Sequence, residues 1–303
     1  TGTAIEIEAL SHVYGGTVPA LENISFNVAA GRFTVIVGPS GCGKTSLLMM
    51  LAGLRAQTRG TILCHGRPIA DPDPQRVGVI FQEASLYPWL TALDNIEFPL
   101  SLRGAPKEER RRRAEAMLEL VGLQPERRKL IRRLSGGQLR RLNVAIGLAG
   151  DPDLLFLDEP TTGLDPAARR AAWAMIKSLR ELNKTVLLTT HYIDEAEHLA
   201  DRVAIIAAGK IVAEGTPDEL RSSRHDTRIS FRTGMLNALP PSLGATMDNG
   251  RVVIESSTPT TTLHQLTTWA TQQGVELEDL RVAPISLEDV YLKLTAEPEA
   301  GMQ

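Results

Sequence analysis

A glycine-rich segment with one lysine is the part of this 303-residue sequence best suited to chemistry. Residues 38–45 fit the pattern G-x-x-x-x-G-K-[ST], follow an apolar strand and precede a segment of helical character. In such a loop, backbone N–H groups face a phosphate, the lysine neutralises β/γ-phosphate oxygens and the hydroxyl coordinates Mg²⁺. The pattern therefore predicts a nucleotide phosphate site, formed by Gly38, Pro39, Ser40, Gly41, Cys42, Gly43, Lys44, Thr45 and Ser46.

The loop alone leaves kinases, GTPases, helicases and transport ATPases open, but two further segments narrow the choice. They are Leu134-Ser135-Gly136-Gly137-Gln138 and the acidic strand end Leu154-Leu155-Phe156-Leu157-Asp158-Glu159-Pro160. With these motifs in order, residues 4–220 resemble the ATP-binding-cassette (ABC) ATPases. The resemblance implies ATP and Mg²⁺ as cofactors. It also implies a homodimer, or a heterodimer with a second ABC ATPase, that closes around two nucleotides.

The resemblance also implies the catalytic residues. Asp158, at the end of a buried strand, is expected to hold Mg²⁺ together with Thr45 and Gln82. Glu159 is expected to position or deprotonate the attacking water, a role worth about 10²–10⁴-fold in rate. His191 resembles the histidine that contacts the γ-phosphate. The alternatives are a helix cap for Glu159 and a structural role for His191.

Other binding residues follow from the same resemblance. Tyr14 resembles the aromatic that stacks on adenine, although aromatics of this kind are also common core residues. Asp165 belongs to a segment that lies along the dimer contact in the family. A helix that begins after Ser135 offers free N–H groups and a positive dipole end to an anion. Residues Ser135, Gly136, Gly137 and Gln138 of one copy are thus expected to close over the γ-phosphate held by the other.

Hydrophobic periodicity predicts the elements that position these motifs. Short strands fill residues 1–83, and one of them places Ile5, Ile7 and Ala9 on a common face. Residues 84–150 have a helical period, and strands then alternate with helices through residues 151–225. A βαβα order predicts a mainly parallel sheet with helices on both faces.

The predicted fold class is α/β. We expect a P-loop NTPase (RecA-like) core in residues 1–83 and 151–225, with an N-terminal antiparallel β-subdomain and a helical insertion in residues 84–150. This ABC ATPase domain, residues 1–225, precedes a small α+β accessory domain in residues 226–303. In that last domain, Ser286 and Asp289 predict a capping box at the start of a helix.

Composition limits the partners and the compartment. Lys and Arg number 33 against 36 Asp and Glu, so a net charge of -3 provides no general attraction to nucleic acid or to an anionic membrane. No apolar stretch approaches the roughly 18 to 20 residues that span a bilayer. Cys42 and Cys64 are the only cysteines, which favours a reducing cytoplasm. The resemblance to ABC ATPases further implies a peripheral protein at the cytoplasmic face of the membrane, bound through membrane subunits.

Two charged features allow more than one interpretation. Residues 103–141 hold thirteen Lys or Arg against five Glu, which indicates either a solvated helical face or a surface towards anionic headgroups and a membrane subunit. Nucleic acid is the least favoured partner, because no aromatics accompany the charge. His191, Glu195 and His198 do not have the H-E-x-x-H order of a metal site, so a charged helix face is favoured.

Three functions remain open within the family. Segments 161–166, 189–192 and above all 286–295 resemble the prokaryotic daunorubicin-resistance type of exporter, which favours efflux of a drug, lipid or other hydrophobic substrate through separate transmembrane permease subunits. Residues 81–83 and 88–91 resemble importers of small oxyanions and sulfonates. A soluble cassette acting on nucleic acid or ribosomes would carry two cassettes or a long coiled coil, and no heptad run is present. The aromatic residues Tyr87 and Trp89 indicate either a contact with a membrane subunit or internal packing.

Overall fold

The computed structural model describes residues 2–82, 86–222, 227–232, 239–248 and 250–296. By their internal contacts the residues form two compact units, Thr1–Glu214 and Gly215–Gln303. The predicted domain boundary at residues 225 and 226 lies outside the described residues. So does Glu83, which belongs to the importer resemblance.

A six-stranded sheet forms the centre of the first unit. Its strands are β3 (Phe33–Val37), β6 (Val77–Ile80), β7 (Leu154–Asp158), β8 (Thr185–Thr190), β9 (Arg202–Ala207) and β10 (Lys210–Gly215). They lie in the order β10-β9-β3-β8-β7-β6, and the pairs from β9 to β6 are parallel. Every residue of β3, β7 and β8 is buried, as expected for parallel strands that are covered on both faces.

Helices α1 (Lys44–Leu51) and α6 (Ile193–Leu199) pack on this sheet, and α5 (Pro166–Ser178) packs on α6. Helix α1 contacts β7 and β8, whereas α6 contacts β3 and β8. A short 3-10 helix, Leu179–Leu182, continues α5. The predicted parallel core is confirmed.

A second, antiparallel sheet lies at the N-terminus. Its strands are β1 (Thr3–Tyr14), β2 (Val18–Ala29), β4 (Arg59–Cys64) and β5 (Arg67–Pro68), in the order β2-β1-β4-β5. Ile5 and Ile7 are buried as predicted, but the expectation for Ala9 is wrong: Ala9 is exposed, with φ at 48°, and Leu10 is buried instead. The register of β1 shifts between Ile7 and Leu10, and such an irregularity breaks the alternation of side chains.

The helical insertion has its own core. Helices α2 (Ala92–Leu102), α3 (Lys107–Leu120) and α4 (Gly136–Ala149) bury apolar side chains that include Ile96, Leu118 and Leu142. The change of hydrophobic period along the sequence therefore marks a real change of architecture, and the helical insertion is confirmed.

In the part of it that the structure describes, the second unit combines a sheet with three α-helices and a short 3-10 helix, Pro241–Leu243. Its elements are α7 (Pro217–Ser222), β11 (Thr227–Arg232), β12 (Thr246–Asp248), β13 (Arg251–Ser256), α8 (Pro259–Gln273), β14 (Glu278–Pro284) and α9 (Leu287–Ala296). The antiparallel sheet order is β12-β13-β11-β14, and Phe231 and Leu266 belong to the core between sheet and α8. The N–H of Asp289 donates to Ser286 Oγ (3.1 Å) and that of Ser286 to Asp289 Oδ2 (3.0 Å), which confirms the predicted capping box.

Helix α4 approaches strand β6 at two glycines. A Cβ atom added at Gly78 would lie 2.5 Å from the backbone oxygen of Gly147, and one added at Gly147 would lie 2.7 Å from Cγ1 of Ile80. The helical insertion thus rests on the sheet through a contact that has no room for a methyl group.

Replacing Gly78 by alanine is expected to lower the free energy of unfolding by about 1–3 kcal/mol, because the methyl group meets a backbone carbonyl that moves only if α4 moves. Gly147→Ala should cost less, since the Ile80 side chain can rotate away. Urea unfolding of both variants and the wild type measures the difference. Equal midpoints for Gly78→Ala and the wild type would show that the contact is not tight.

Candidate nucleotide-binding and hydrolysis site

Neighbouring parallel strands deliver the predicted catalytic residues to one edge of the sheet, where Gln82 follows β6, the strand next to β7. Strand β3 leads into the loop of residues 38–43, β7 ends at Asp158 and is followed by Glu159, and β8 is followed by His191. Because β3, β8 and β7 are adjacent and parallel, their carboxyl ends lie side by side, which is where open α/β sheets bind ligands.

Lys44 lies at the centre of this edge. Its side chain is only 4% exposed, and Nζ donates hydrogen bonds of 2.9 Å to the carbonyl oxygens of Gly38 and Pro39. Nζ also lies 3.3 Å from Oε1 of Glu159. The preceding Gly43 has φ at 102°, a left-handed conformation that glycine adopts readily and that lets α1 begin at Lys44.

Glu159 joins this lysine to the end of β8. Its Oε2 lies 3.2 Å from His191 Nδ1 and accepts a 3.2 Å hydrogen bond from the Thr162 hydroxyl. Burial acts to raise the pKa of Glu159, but Lys44, His191 and Thr162 together lower it below its usual value. The carboxylate is therefore ionised at neutral pH. It does not cap α5, whose N-cap is Asp165.

The side chain of Asp158 is more deeply buried than that of Glu159. The Asp158 side chain is 2% exposed, and Oδ1 accepts a 2.5 Å hydrogen bond from the Thr189 hydroxyl. Thr45 and Gln82, the other predicted magnesium ligands, are exposed. A hydroxyl, a carboxylate and an amide form the all-oxygen donor set that Mg²⁺ prefers, with water and phosphate supplying the other positions. In the described residues, no group of three or more His, Cys, Asp or Glu forms a separate metal cluster.

Tyr14 lies close to the helix that follows the loop. Its hydroxyl is 2.8 Å from Ser46 Oγ on α1, and the Arg55 guanidinium lies 4.7 Å from the ring centre. The side chain is 38% exposed, so it is not a core residue. Stacking on adenine stays a prediction for Tyr14.

The remaining predicted residues begin two helices. Ser135 and Gln138 form a capping box at the start of α4, in which Gln138 N–H donates to Ser135 Oγ (3.3 Å). Gln138 also donates to Glu126 Oε1 at 3.3 Å, so the contacts described for this segment stay within the helical insertion and do not reach Lys44. Asp165 accepts the N–H groups of Ala167 and Ala168, both at 2.9 Å, which lowers its pKa.

Four residues of the site network were not predicted as functional. Thr162 and Thr189 hold Glu159 and Asp158, and Arg140 on α4 hydrogen-bonds the backbone of Gln82. Thr161 holds Glu195. A threonine or arginine carries no distinctive spacing, so their positions in the sequence provide no signal of these contacts.

Sequence comparison decides which nucleotide-binding family contains this site. Residues 21–162 match the ABC transporter family, and residues 227–286 match the ABC transporter domain-containing protein-like C-terminal domain. The daunorubicin resistance ATP-binding protein of Streptomyces coeruleorubidus is 36% identical over 308 residues, which cover 97% of this chain and 96% of that protein. The chain belongs to the ABC transporter ATP-binding proteins.

Three further comparisons show how much of the chain is similar to other ATP-binding proteins. A Nod factor export ATP-binding protein of Cupriavidus pinatubonensis is 36% identical over 96% of this chain and 90% of that protein. A glycine betaine, carnitine and choline transport ATP-binding protein of Bacillus subtilis is 40% identical, but over 71% of this chain and 58% of that protein. A solved dimeric ATP-binding cassette, in a post-hydrolysis state with ADP and Pi, matches with a TM-score of 0.64 and 32% identity over 70% of this chain and 98% of that chain.

As an ABC ATPase the chain binds and hydrolyses ATP, and its predicted P-loop NTPase fold is confirmed. Within the described residues, no helix combines the length and the apolar character needed to cross a bilayer.

The positive charge of the basic segment in the helical insertion is partly neutralised by ion pairs, since Arg111 pairs with Glu97 and Glu115 and Arg113 pairs with Glu109.

The prediction that Glu195 lies on a charged helix face is wrong. This side chain is 0% exposed, and Oε1 accepts hydrogen bonds of 2.9 Å from Thr161 Oγ1 and from Trp173 Nε1. Burial raises its pKa, and the hydrogen bonds from its neighbours offset this only in part. Glu195 thus joins the segment after Glu159 to helix α6 from inside the protein.

Because the folded protein holds the Glu195 proton more tightly than the unfolded chain does, the wild type is expected to lose stability as pH rises from near 4.5 through the raised pKa. Glu195→Gln has no such proton to lose. Its melting temperature relative to the wild type should therefore increase between about pH 5 and about pH 8. Thermal unfolding across this range tests it, with Glu119→Gln, an exposed carboxylate on α3, as the control. A Glu195→Gln difference that is constant with pH would contradict the expectation.

Proposed function

We propose that this ABC ATPase is the motor subunit of an exporter, which moves a drug, lipid or other hydrophobic substrate through separate permease subunits. It would act at the cytoplasmic face of the membrane, bound peripherally to those subunits. The ATPase domain would comprise residues 1–225, and residues 226–303 would form a regulatory or dimer-stabilising domain.

The extent of similarity supports export. The relative named for daunorubicin resistance and one relative named for Nod factor export align over 97% and 96% of this chain, through the C-terminal unit, whereas another Nod factor export relative, of Cupriavidus metallidurans, aligns over 72%. The relative named for glycine betaine, carnitine and choline transport aligns over 71%. The alignments that extend through the second unit are therefore with relatives named for resistance or export. An importer ATPase is the alternative, because cassette similarity alone does not distinguish direction.

We infer that hydrolysis requires two copies. Capping by Ser135 satisfies one N–H of the first turn of α4, while the N–H groups of Gly136 and Gly137 have no acceptor within the helix. These donors and the positive helix end suit a phosphate, yet the described contacts of the segment do not reach Lys44 of the same chain. A second copy, as in the dimeric cassette found by comparison, would bring its own nucleotide to them.

Each side chain at the strand ends has a proposed task. Lys44 would neutralise the β/γ-phosphates, and Asp158, Thr45 and Gln82 would hold Mg²⁺, which supplies charge neutralisation when bound. Glu159, ionised between Lys44 and His191, would orient water and accept its proton. His191 would contact the γ-phosphate from the end of β8.

The contact with the permease would use the segment after Gln82. Trp89 is 69% exposed, whereas Tyr87 packs on Phe98 with ring centres 4.7 Å apart. An exposed tryptophan on a packed aromatic base is suited to a partner that supplies an apolar surface. This segment adjoins Gln82 and would report nucleotide binding to the membrane subunit.

Replacing Glu159 by glutamine is expected to reduce ATP turnover by about 10²–10⁴-fold while nucleotide binding persists, because the amide cannot accept the proton of the attacking water. Phosphate release measures turnover, and equilibrium binding of a fluorescent ATP analogue measures affinity. Glu181→Gln, an exposed carboxylate beyond α5, should retain wild-type turnover. Near-normal turnover by Glu159→Gln would remove this residue from the reaction.

The proposed export function is tested by what a tagged Glu159→Gln form retains when purified from solubilised source membranes with ATP. Mass spectrometry is expected to find a polytopic membrane protein without a solute-binding protein. A solute-binding protein in the complex would indicate an importer and overturn export. Ribosomal or DNA-associated proteins as the main partners would overturn the transport function.

A further inference from the structure

The guanidinium of Arg140 is the point at which three segments of the first unit meet. Nη1 donates to the carbonyl oxygens of Phe81 (3.4 Å) and Gln82, and Nη2 donates to that of Thr162 (3.4 Å). Arg140 itself lies on α4, two residues after Gln138. It thus connects the helix of the Ser135–Gln138 motif with the end of β6 and with the segment after Glu159.

The chemistry of the contact requires arginine in particular. All three acceptors described for Arg140 are backbone carbonyls, from segments 58 to 59 residues before it and 22 residues after it. A planar guanidinium with five donors can serve several carbonyls at once, whereas the lysine ammonium is a compact point charge. Burial lowers the pKa of Arg140, so much of this cation is out of water and its carbonyl contacts replace hydration.

The contact continues to the catalytic carboxylate. Thr162 accepts from Arg140 through its backbone oxygen, and its hydroxyl donates to Glu159 Oε2 at 3.2 Å. Thr162 is therefore the only residue between Arg140 of α4 and Glu159 along this path. A rotation or shift of α4 would move the Thr162 backbone and, with it, a hydrogen bond that positions Glu159.

We propose that Arg140 is a positioning residue that couples the two ATP sites of the dimer. This rests on the proposed function, in which the start of α4 contacts the nucleotide held by the other copy. Binding at that distant site fixes α4, and Arg140 then aligns Thr162 and Glu159 in the site of its own chain. The predicted result is positive cooperativity between the two sites.

Arg141 provides a matched control on the same helix. Its Nη1 donates to the carbonyl oxygens of Val121 (3.0 Å) and Gly122 (3.4 Å), both within the helical insertion. Arg141→Gln thus removes the same charge and two carbonyl contacts of the same kind, but it leaves the connection to Gln82 and Thr162 in place. A loss of stability without a loss of cooperativity is expected for this variant.

The experiment compares the wild type with Arg140→Gln, Arg140→Lys and Arg141→Gln in the full-length protein. Steady-state ATP turnover against MgATP concentration gives kcat and the Hill coefficient, and binding of a fluorescent ATP analogue to the monomer gives single-site affinity. Arg140→Gln should lower kcat about tenfold and move the Hill coefficient from near 2 towards 1, with single-site affinity unchanged. Arg140→Lys should recover only part of kcat, and Arg141→Gln should keep the wild-type Hill coefficient.

A second variant keeps the proposal testable if Arg140→Gln is too unstable to measure. Thr162→Val removes the hydroxyl that reaches Glu159 but retains the carbonyl that accepts from Arg140. The Arg140→Lys and Thr162→Val effects on kcat should be less than additive, because both break one path. Additive effects of the two substitutions on kcat would overturn the coupling role of Arg140 but not the two-copy mechanism. An Arg140→Gln enzyme that keeps the wild-type Hill coefficient would do the same. A wild type without cooperativity would instead overturn the two-copy mechanism on which it rests.

Discussion

The nearly buried ammonium of Lys44 is the charge on which the rest of the site depends. An ammonium removed from water is tolerated only where oxygens replace its hydration, and here two loop carbonyls and the Glu159 carboxylate do so. This requirement places the loop after β3 and the residue after β7 within reach of each other. The parallel sheet satisfies it because β3, β8 and β7 are neighbours whose carboxyl ends share an edge. Fold and chemistry are therefore linked through one buried cation.

Threonines supply the rigidity that the charges need. The Thr189 hydroxyl holds Asp158 while the backbone oxygen of Thr189 accepts the N–H of Glu159, so β8 controls the end of β7. Thr161 and Thr162 then bind two different carboxylates, Glu195 and Glu159. Each of these hydroxyls donates to a carboxylate, so contacts within the protein position the carboxylates without a bound substrate. Such preorganisation is what electrostatic catalysis relies on.

The helical insertion has two kinds of contact with the sheet. The glycine contact between α4 and β6 is steric and has no room for a methyl group. The Arg140 contact is polar and directional, and it reaches the backbone near Glu159. The helical insertion is thus joined to the sheet by one close-packed contact and by one directional hydrogen-bonding group that reaches the segment after Glu159. This combination suits a protein whose proposed work is to convert nucleotide binding into movement of another subunit.

The sequence alone determined the features that depend on near neighbours. The glycine-rich turn before α1, the capping box of Ser286 and Asp289 and the succession of strands and helices along the chain follow from local spacing, because turns, caps and periodicity are set by residues a few positions apart. It also indicated Lys44, Glu159 and His191, whose positions after apolar strands place them at one sheet edge.

The tertiary structure alone decided the contacts between distant segments. The irregularity at Ala9 depends on pairing with β2 and β4, and the burial of Glu195 depends on Thr161, 34 residues earlier, and on Trp173, 22 residues earlier. In the sequence, Arg140 is one of the thirteen Lys or Arg residues of segment 103–141. In the fold, it donates to the carbonyl oxygen of Gln82, 58 residues earlier. Backbone carbonyls are present at every residue and leave no mark in a sequence, so only the packing of these segments could show which of them an arginine would bind.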